Sequence, residues 1–138
     1  MKSYRLLLGA GLLLLGLQGR ADLVLIINKS NAVHLDAVQV RNIFLGRSHY
    51  FPDGQPVIPL QQVPGSPAYE EFSRELIHKD DARLRAYWSS MVFTGRGLPP
   101  RVVASAAQVI DLVAHHPEMI AYVPADSPGL DQVRVLRP

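Results

Sequence analysis

The chain contains no cysteine among its 138 residues. Disulfides, thiolate nucleophiles, cysteine-based zinc sites and a lipid-modified N-terminal cysteine are thereby excluded. Internal repeats, low-complexity tracts and linker-like stretches are also missing, so nothing divides the chain into two folded units. Basic excess is the third thing lacking. The formal charge of +2 includes Lys2, Arg5 and Arg20, which lie in a leader-like N-terminus. Without those three, 11 of the 14 basic residues remain against 12 acidic ones, a charge of −1. No basic face for nucleic acid is implied.

There is one long apolar run, Leu6 to Leu17, broken only by small residues. Lys2 and Arg5 precede it, and Gly19 and Ala21 follow at small-x-small spacing. This is the pattern of a cleavable export signal over residues 1–21, cut after Ala21. The alternative is an uncleaved membrane anchor. A span needs about 20 apolar residues, which draws in Arg20 and Asp22 at roughly 2.5–3.5 kcal/mol each. The expectation is an exported domain over residues 22–138, long enough to bury a core of its own.

Asp22 to Asn28 is β-branched and apolar, reading as a strand buried on both faces. Asp36 predicts an N-cap for a helix whose inner face is Ala37, Val40, Ile43 and Phe44, stopping at Gly46. Val57 to Leu60 predicts a second strand, with Pro59 requiring an edge or terminal place because it has no N–H. Ser66 and Pro67 start a helix with Tyr69, Phe72 and Leu76 inward and a Glu70–Arg74 pair outward. A third helix opens at Asp80 or Asp81, with Leu84, Tyr87, Trp88, Met91 and Val92 at core spacing. It ends at Thr94-Gly95-Arg96-Gly97. Ser105 caps a fourth helix with Ala106, Val109, Ile110 and Val113 inward. Met119–Val123 and Val133–Leu136 complete the order β-α-β-α-α-α-β-β. This predicts an α/β fold with a mixed, mostly parallel sheet flanked by helices.

Two loops carry chemistry. At Gln61–Ser66, a glycine and a serine cap precede free helical N–H groups, an arrangement that holds anions. It is equally the description of an ordinary capped helix. At Thr94–Gly97, Arg96 with Arg101 nearby can grip an oxyanion through charge-assisted bonds; a plain helix-ending loop has the same look. The Walker spacing is absent. No two of the five histidines are spaced i, i+4 as in a helical zinc site. His115 and His116 suit the C-terminal turn of their helix. Ser30, Ser48 and Ser66 lie in no nucleophile-elbow context, so no catalytic residue, cofactor or metal is expected.

Several segments together resemble the phosphate-type periplasmic solute-binding proteins. Val40-Arg-Asn-Ile-Phe-Leu-Gly46 is similar to their helix end. Val57 to Phe72, with Gly65-Ser66, is similar to their anion loop. Met119-Ile-Ala-Tyr-Val123 after Pro117 is similar to one of their strands. Tyr87-Trp88 through Pro100 resembles a short, single-domain subgroup. The resemblance implies one lobe of the type 2 periplasmic-binding-protein fold, located in the periplasm. It implies a small oxyanion such as phosphate as ligand and an ABC transporter as partner. Its binding residues would be Gly65, Ser66 and Gln62, with Thr94 and Arg96 across the cleft. The chain departs from the family pattern Arg-x-Asp-Gly-Ser-Gly-Thr. Gln62 and Pro64 replace the Arg and Asp, and Pro67-Ala68 replaces the Gly-Thr. That departure, with the length of a single lobe, supports a second reading: an envelope interaction or sensory module that has lost ligand binding, either as a homodimer or docked on a partner protein.

Overall fold

The computed structural model describes residues 22–138; the leader assigned to residues 1–21 lies outside the described residues. Five strands form one sheet in the order β3-β2-β4-β1-β5. They are β1 Leu23–Ile27, β2 Ile58–Gln62, β3 Arg101–Val103, β4 Met119–Pro124 and β5 Arg134–Leu136. β2 runs parallel to β3 and β4, while β1 is antiparallel to β4 and β5. Four strands therefore point one way and β1 alone is reversed, so two of the four pairings are parallel and two antiparallel, and the mixed α/β sheet is as expected. No helix among the described residues is long and apolar enough to cross a membrane.

Alternation along the strands builds two cores. Leu25 and Ile27 of β1 and Ile120 and Tyr122 of β4 face α1 (Ala37–Phe44), α2 (Pro67–Phe72) and the start of α3 (Asp81–Phe93). Val24, Ile26, Met119, Ala121 and Val123 face α4 (Ala106–His115). Period-2 side chains on strands covered from both sides leave no polar face, which is why these segments read as continuous apolar runs.

Each of the four α-helices among the described residues begins on a side-chain cap of the kind the sequence indicates. Asp36 accepts from Gln39 N–H and Gln39 returns a bond to Asp36 N–H, a capping box. Asp80 and Ser105 accept from Arg83 and Gln108 N–H. Gly46 closes α1 with φ +69°, a left-handed turn that glycine adopts without strain. Pro59 is paired only toward β4. Ile58 N–H donates to Glu118 O on that side, so the missing proline donor points toward β3, whose ladder starts one residue later at Leu60.

The structure departs from expectation in four places. β3 was not foreseen: three residues after Pro99-Pro100 are too few to show a periodicity. α2 continues as a π-helical turn over Ser73–Ile77. The wider turn rotates the outer face, so Arg74 pairs with Glu71 and Glu75 rather than Glu70. It also buries Ile77, leaving Leu76 half-buried. Finally, α3 is amphipathic only at its start. Leu84 is buried and Tyr87, Trp88 and Met91 are half-buried, but Val92 is 49% exposed. Phe93, next to it, is 93% exposed.

Candidate functional site

The turn from β2 to α2 carries the first candidate. Gly65 holds φ +88°, so the turn specifically favours glycine there. Ser66 Oγ accepts from Tyr69 N–H at 3.3 Å. Ser66 O accepts from Glu70 N–H at 3.0 Å. Pro67 contributes no N–H. By helix geometry this leaves Ala68 N–H without an intrahelical acceptor. An anion at this turn thus meets two donors, the Ala68 N–H and the Ser66 hydroxyl proton. Glu70 in the first turn opposes negative charge there.

Gln62 sits on the same strand end but is turned into the sheet. Its N–H donates to Tyr122 Oη at 3.1 Å and its Nε2 donates to Tyr122 O at 3.1 Å. Tyr122 in turn stacks on Phe72, with ring centroids 3.9 Å apart and planes 6° from parallel. Phe44 meets Phe72 edge-on at 4.7 Å. Gln62 is therefore a positioning residue, tying the strand that carries Gly65-Ser66 to the aromatic floor beneath α2. Burial pushes the Tyr122 phenol far above its ordinary range, partly offset by the Gln62 N–H bond. Tyr122 was not singled out from the sequence; a tyrosine amid four apolar strand residues is the signal that marks it, since a buried phenol needs a partner.

Thr94 and Arg96 are not brought to Gly65-Ser66. β2 and β3 run parallel, with Leu60 opposite Arg101 and Gln62 opposite Val103. The Thr94–Gly97 loop leads into the start of β3, whereas Gly65-Ser66 follows the end of β2. The two loops lie at opposite ends of the sheet, roughly 15 Å of strand apart. Thr94 serves its own helix, its Oγ1 donating to Ser90 O at 2.7 Å.

His115 and His116 lie at the C-terminal end of α4. His115 Nδ1 lies 2.8 Å from Asp111 O, and His116 Nδ1 lies 3.5 Å from Glu118. Among the described residues no group of three or more His, Asp or Glu is placed to hold a metal ion.

A mixed five-stranded sheet with a helix-covered core on each face is an α/β architecture that hosts many unrelated functions. Solved structures share this arrangement. An ABC-type phosphate transport receptor from Vibrio cholerae superposes with TM-score 0.63 at 18% identity, covering 83% of this chain and 45% of that one. A Clostridium perfringens substrate-binding protein solved with bound phosphate gives 0.65 at 18%, covering 83% and 44%. PstS from Borrelia burgdorferi gives 0.62 at 14%, covering 83% and 46%. The chain thus has the fold of one lobe of these receptors and spans less than half their length. No protein-family model matches it, and no curated protein matches it.

Proposed function

We propose that the chain is an exported solute-binding lobe of the phosphate-transport type, which takes a small oxyanion at the Gly65-Ser66 helix start. The observation that carries this reading is a left-handed glycine and a serine cap at a strand-to-helix turn, in a fold shared with phosphate receptors. Ser66 Oγ–H and Ala68 N–H would bind the anion. Gln62 would hold the strand in place, and an ABC transporter would receive the ligand. With two donors and no guanidinium at the turn, binding is expected to be weak. Titration calorimetry with phosphate and sulfate tests it. Saturable heat that Ser66→Ala abolishes is the expected outcome; no heat at millimolar ligand overturns it.

A specific observation also favours the interaction reading. Phe93 and Leu98 are 93% and 77% exposed, and the chain matches less than half the length of the receptors it resembles. A homodimer or an envelope partner would cover that surface. Sedimentation showing a monomer over the accessible concentration range, with no captured envelope protein, would count against it.

A further inference from the structure

We propose that a cleft at the opposite end of the sheet, between the ends of α1 and α3, is a second site, which takes a small organic anion with an apolar body. The cleft has a volume of about 250 Å³, just below the roughly 300–1,000 Å³ range of drug-sized ligand sites, which suits only a small ligand. Its walls are apolar: Ile43, Val57, Trp88, Leu98, Pro99 and Pro100 among them. Its lining includes no acidic residue, and its only titratable members are His49 and Arg101. Arg47 and Arg96 each adjoin a lining glycine in sequence, Gly46 and Gly97.

The walls are held in place before any ligand arrives. Tyr87 Oη donates to Leu45 O at 2.6 Å, joining α3 to the end of α1. Lys79 and Arg47 lie 5.6 and 5.9 Å from the Tyr87 ring centroid. Trp88 lies against Gly46, where an added Cβ would come within 3.3 Å of the indole.

The positive charge there is not taken up by helix capping. α1 closes through Gly46 N–H to Ile43 O and through Arg47 and Ser48 N–H to Asn42 O. α3 closes through Thr94, Gly95 and Arg96 N–H to Ser90, Val92 and Met91 O. The backbone satisfies these carbonyls. His49, Arg96 and Arg101 make no side-chain hydrogen bond or ion pair with the described residues. The unpaired Arg101 guanidinium in an apolar, acid-free cleft, with the His49 ring beside it as a further hydrogen-bonding group, selects a carboxylate or similar anion joined to a ring or short hydrocarbon. The site is independent of the Gly65-Ser66 turn.

Trp88 is the only tryptophan and lines the cleft, so its fluorescence reports occupancy directly. The purified protein is titrated with benzoate, with neutral benzamide and with inorganic phosphate. Saturable quenching or shift by benzoate, weaker by about tenfold in Arg101→Gln and in His49→Gln, and unchanged in Ser66→Ala, is the expected result. Arg101→Lys, with melting curves on every variant, separates lost binding from lost folding. No saturable change with benzoate overturns the site. So does equal binding of benzamide, or benzoate affinity that neither substitution alters. Phosphate binding as well as benzoate overturns the apolar part of the specificity.

Discussion

Gln62 and Tyr122 are joined twice, the Gln62 N–H to the phenol oxygen and the Gln62 Nε2 to the Tyr122 carbonyl, both at 3.1 Å. The first bond satisfies a strand-end N–H with a side chain, and the second crosses from β2 to β4. Tyr122→Phe removes the phenol and leaves the Gln62 N–H without that acceptor, while the stack on Phe72 is retained. A loss of about 1–3 kcal/mol is expected, the cost of an unsatisfied donor. Urea unfolding measures it. Gln62→Ala should cost less, about 1 kcal/mol, because it removes a side-chain donor from a strand end that is only half-buried. If the two variants proved equally stable to the parent, the pair would contribute nothing to fixing β2.

Stability should fall at alkaline pH for a related reason. Burial raises the phenols of Tyr122 and, to a smaller extent, Tyr69 above their ordinary value of 10.0. In the unfolded chain both titrate near 10. A group raised on folding contributes stability that is complete below its unfolded pKa and lost as pH rises through the folded one. Above pH 10 the unfolded state therefore releases protons the folded state keeps. The Tyr122 phenol lowers stability by up to about 1.4 kcal/mol per pH unit, and Tyr69 acts in the same direction. Denaturation between pH 9 and 12 should show this slope, and Tyr122→Phe should reduce it by the share of one proton. An unchanged slope in that variant would reassign the effect to other groups.

The sequence made the caps and the buried strands legible, because both are local. Asp36, Ser66, Asp80 and Ser105 each sit next to the N–H groups they satisfy, and β1 and β4 are apolar without interruption. What was illegible depended on neighbours distant in the chain. The pair between Gln62 and Tyr122 spans 60 residues. β3 is a strand only because β2 lies beside it, and the π-helical turn after Phe72 shifts Arg74 from Glu70 to Glu71 and Glu75. The separation of Arg96 from Ser66 follows from strand direction, which no spacing along the sequence encodes. Gly65-Ser66 and its thin donor set were visible in the sequence, whereas the inward turn of Gln62 onto Tyr122 was not.

Asn28 offers a test of the opposite face. It is buried, and its Nδ2 donates to Val113 O and Ala114 O at 2.9 and 3.0 Å, while its Oδ1 accepts from Ser30 N–H and Oγ–H. One side chain thereby closes α4 onto the end of β1. Asn28→Ala strands two carbonyls and a backbone N–H, and a loss of about 2–3 kcal/mol is expected. Asn28→Asp, which replaces the donor with a carboxylate oxygen, should be at least as damaging. Thermal melts distinguish these outcomes, and a melting temperature unmoved by either change would rule out the closing role.

Gly46 combines a conformational and a steric demand. Its φ of +69° disfavours any side chain, and a Cβ would stand 3.3 Å from the Trp88 ring. The left-handed conformation alone costs an L-residue roughly 1–2 kcal/mol. Gly46→Ala should lose at least that much and displace Trp88. A shift in its emission should accompany the lower melting temperature. Gly54 is the control: it shares a positive φ of +88° but has nothing within 4 Å of its Cβ position. Gly54→Ala should destabilise by the conformational cost and leave the Trp88 spectrum unaltered. Identical spectra for both variants would mean that the close approach at Gly46 has no structural weight.

Phe93 lies beside the Leu84–Val92 stripe of α3 and contributes nothing to the core. It ends α3 one position after half-exposed Val92, and 93% of its surface is exposed. In an isolated chain its ring gains no burial, so Phe93→Glu should change stability by no more than about 0.5 kcal/mol, as for other surface positions. The same substitution places a charge in the middle of the exposed apolar stretch with Val92 and Leu98. If that stretch is covered by a second copy or a partner, Phe93→Glu should abolish the association while leaving the urea midpoint of the monomer unchanged. A variant that unfolds more readily at low protein concentration would instead show that Phe93 packs within its own chain, and the surface reading would fall with it.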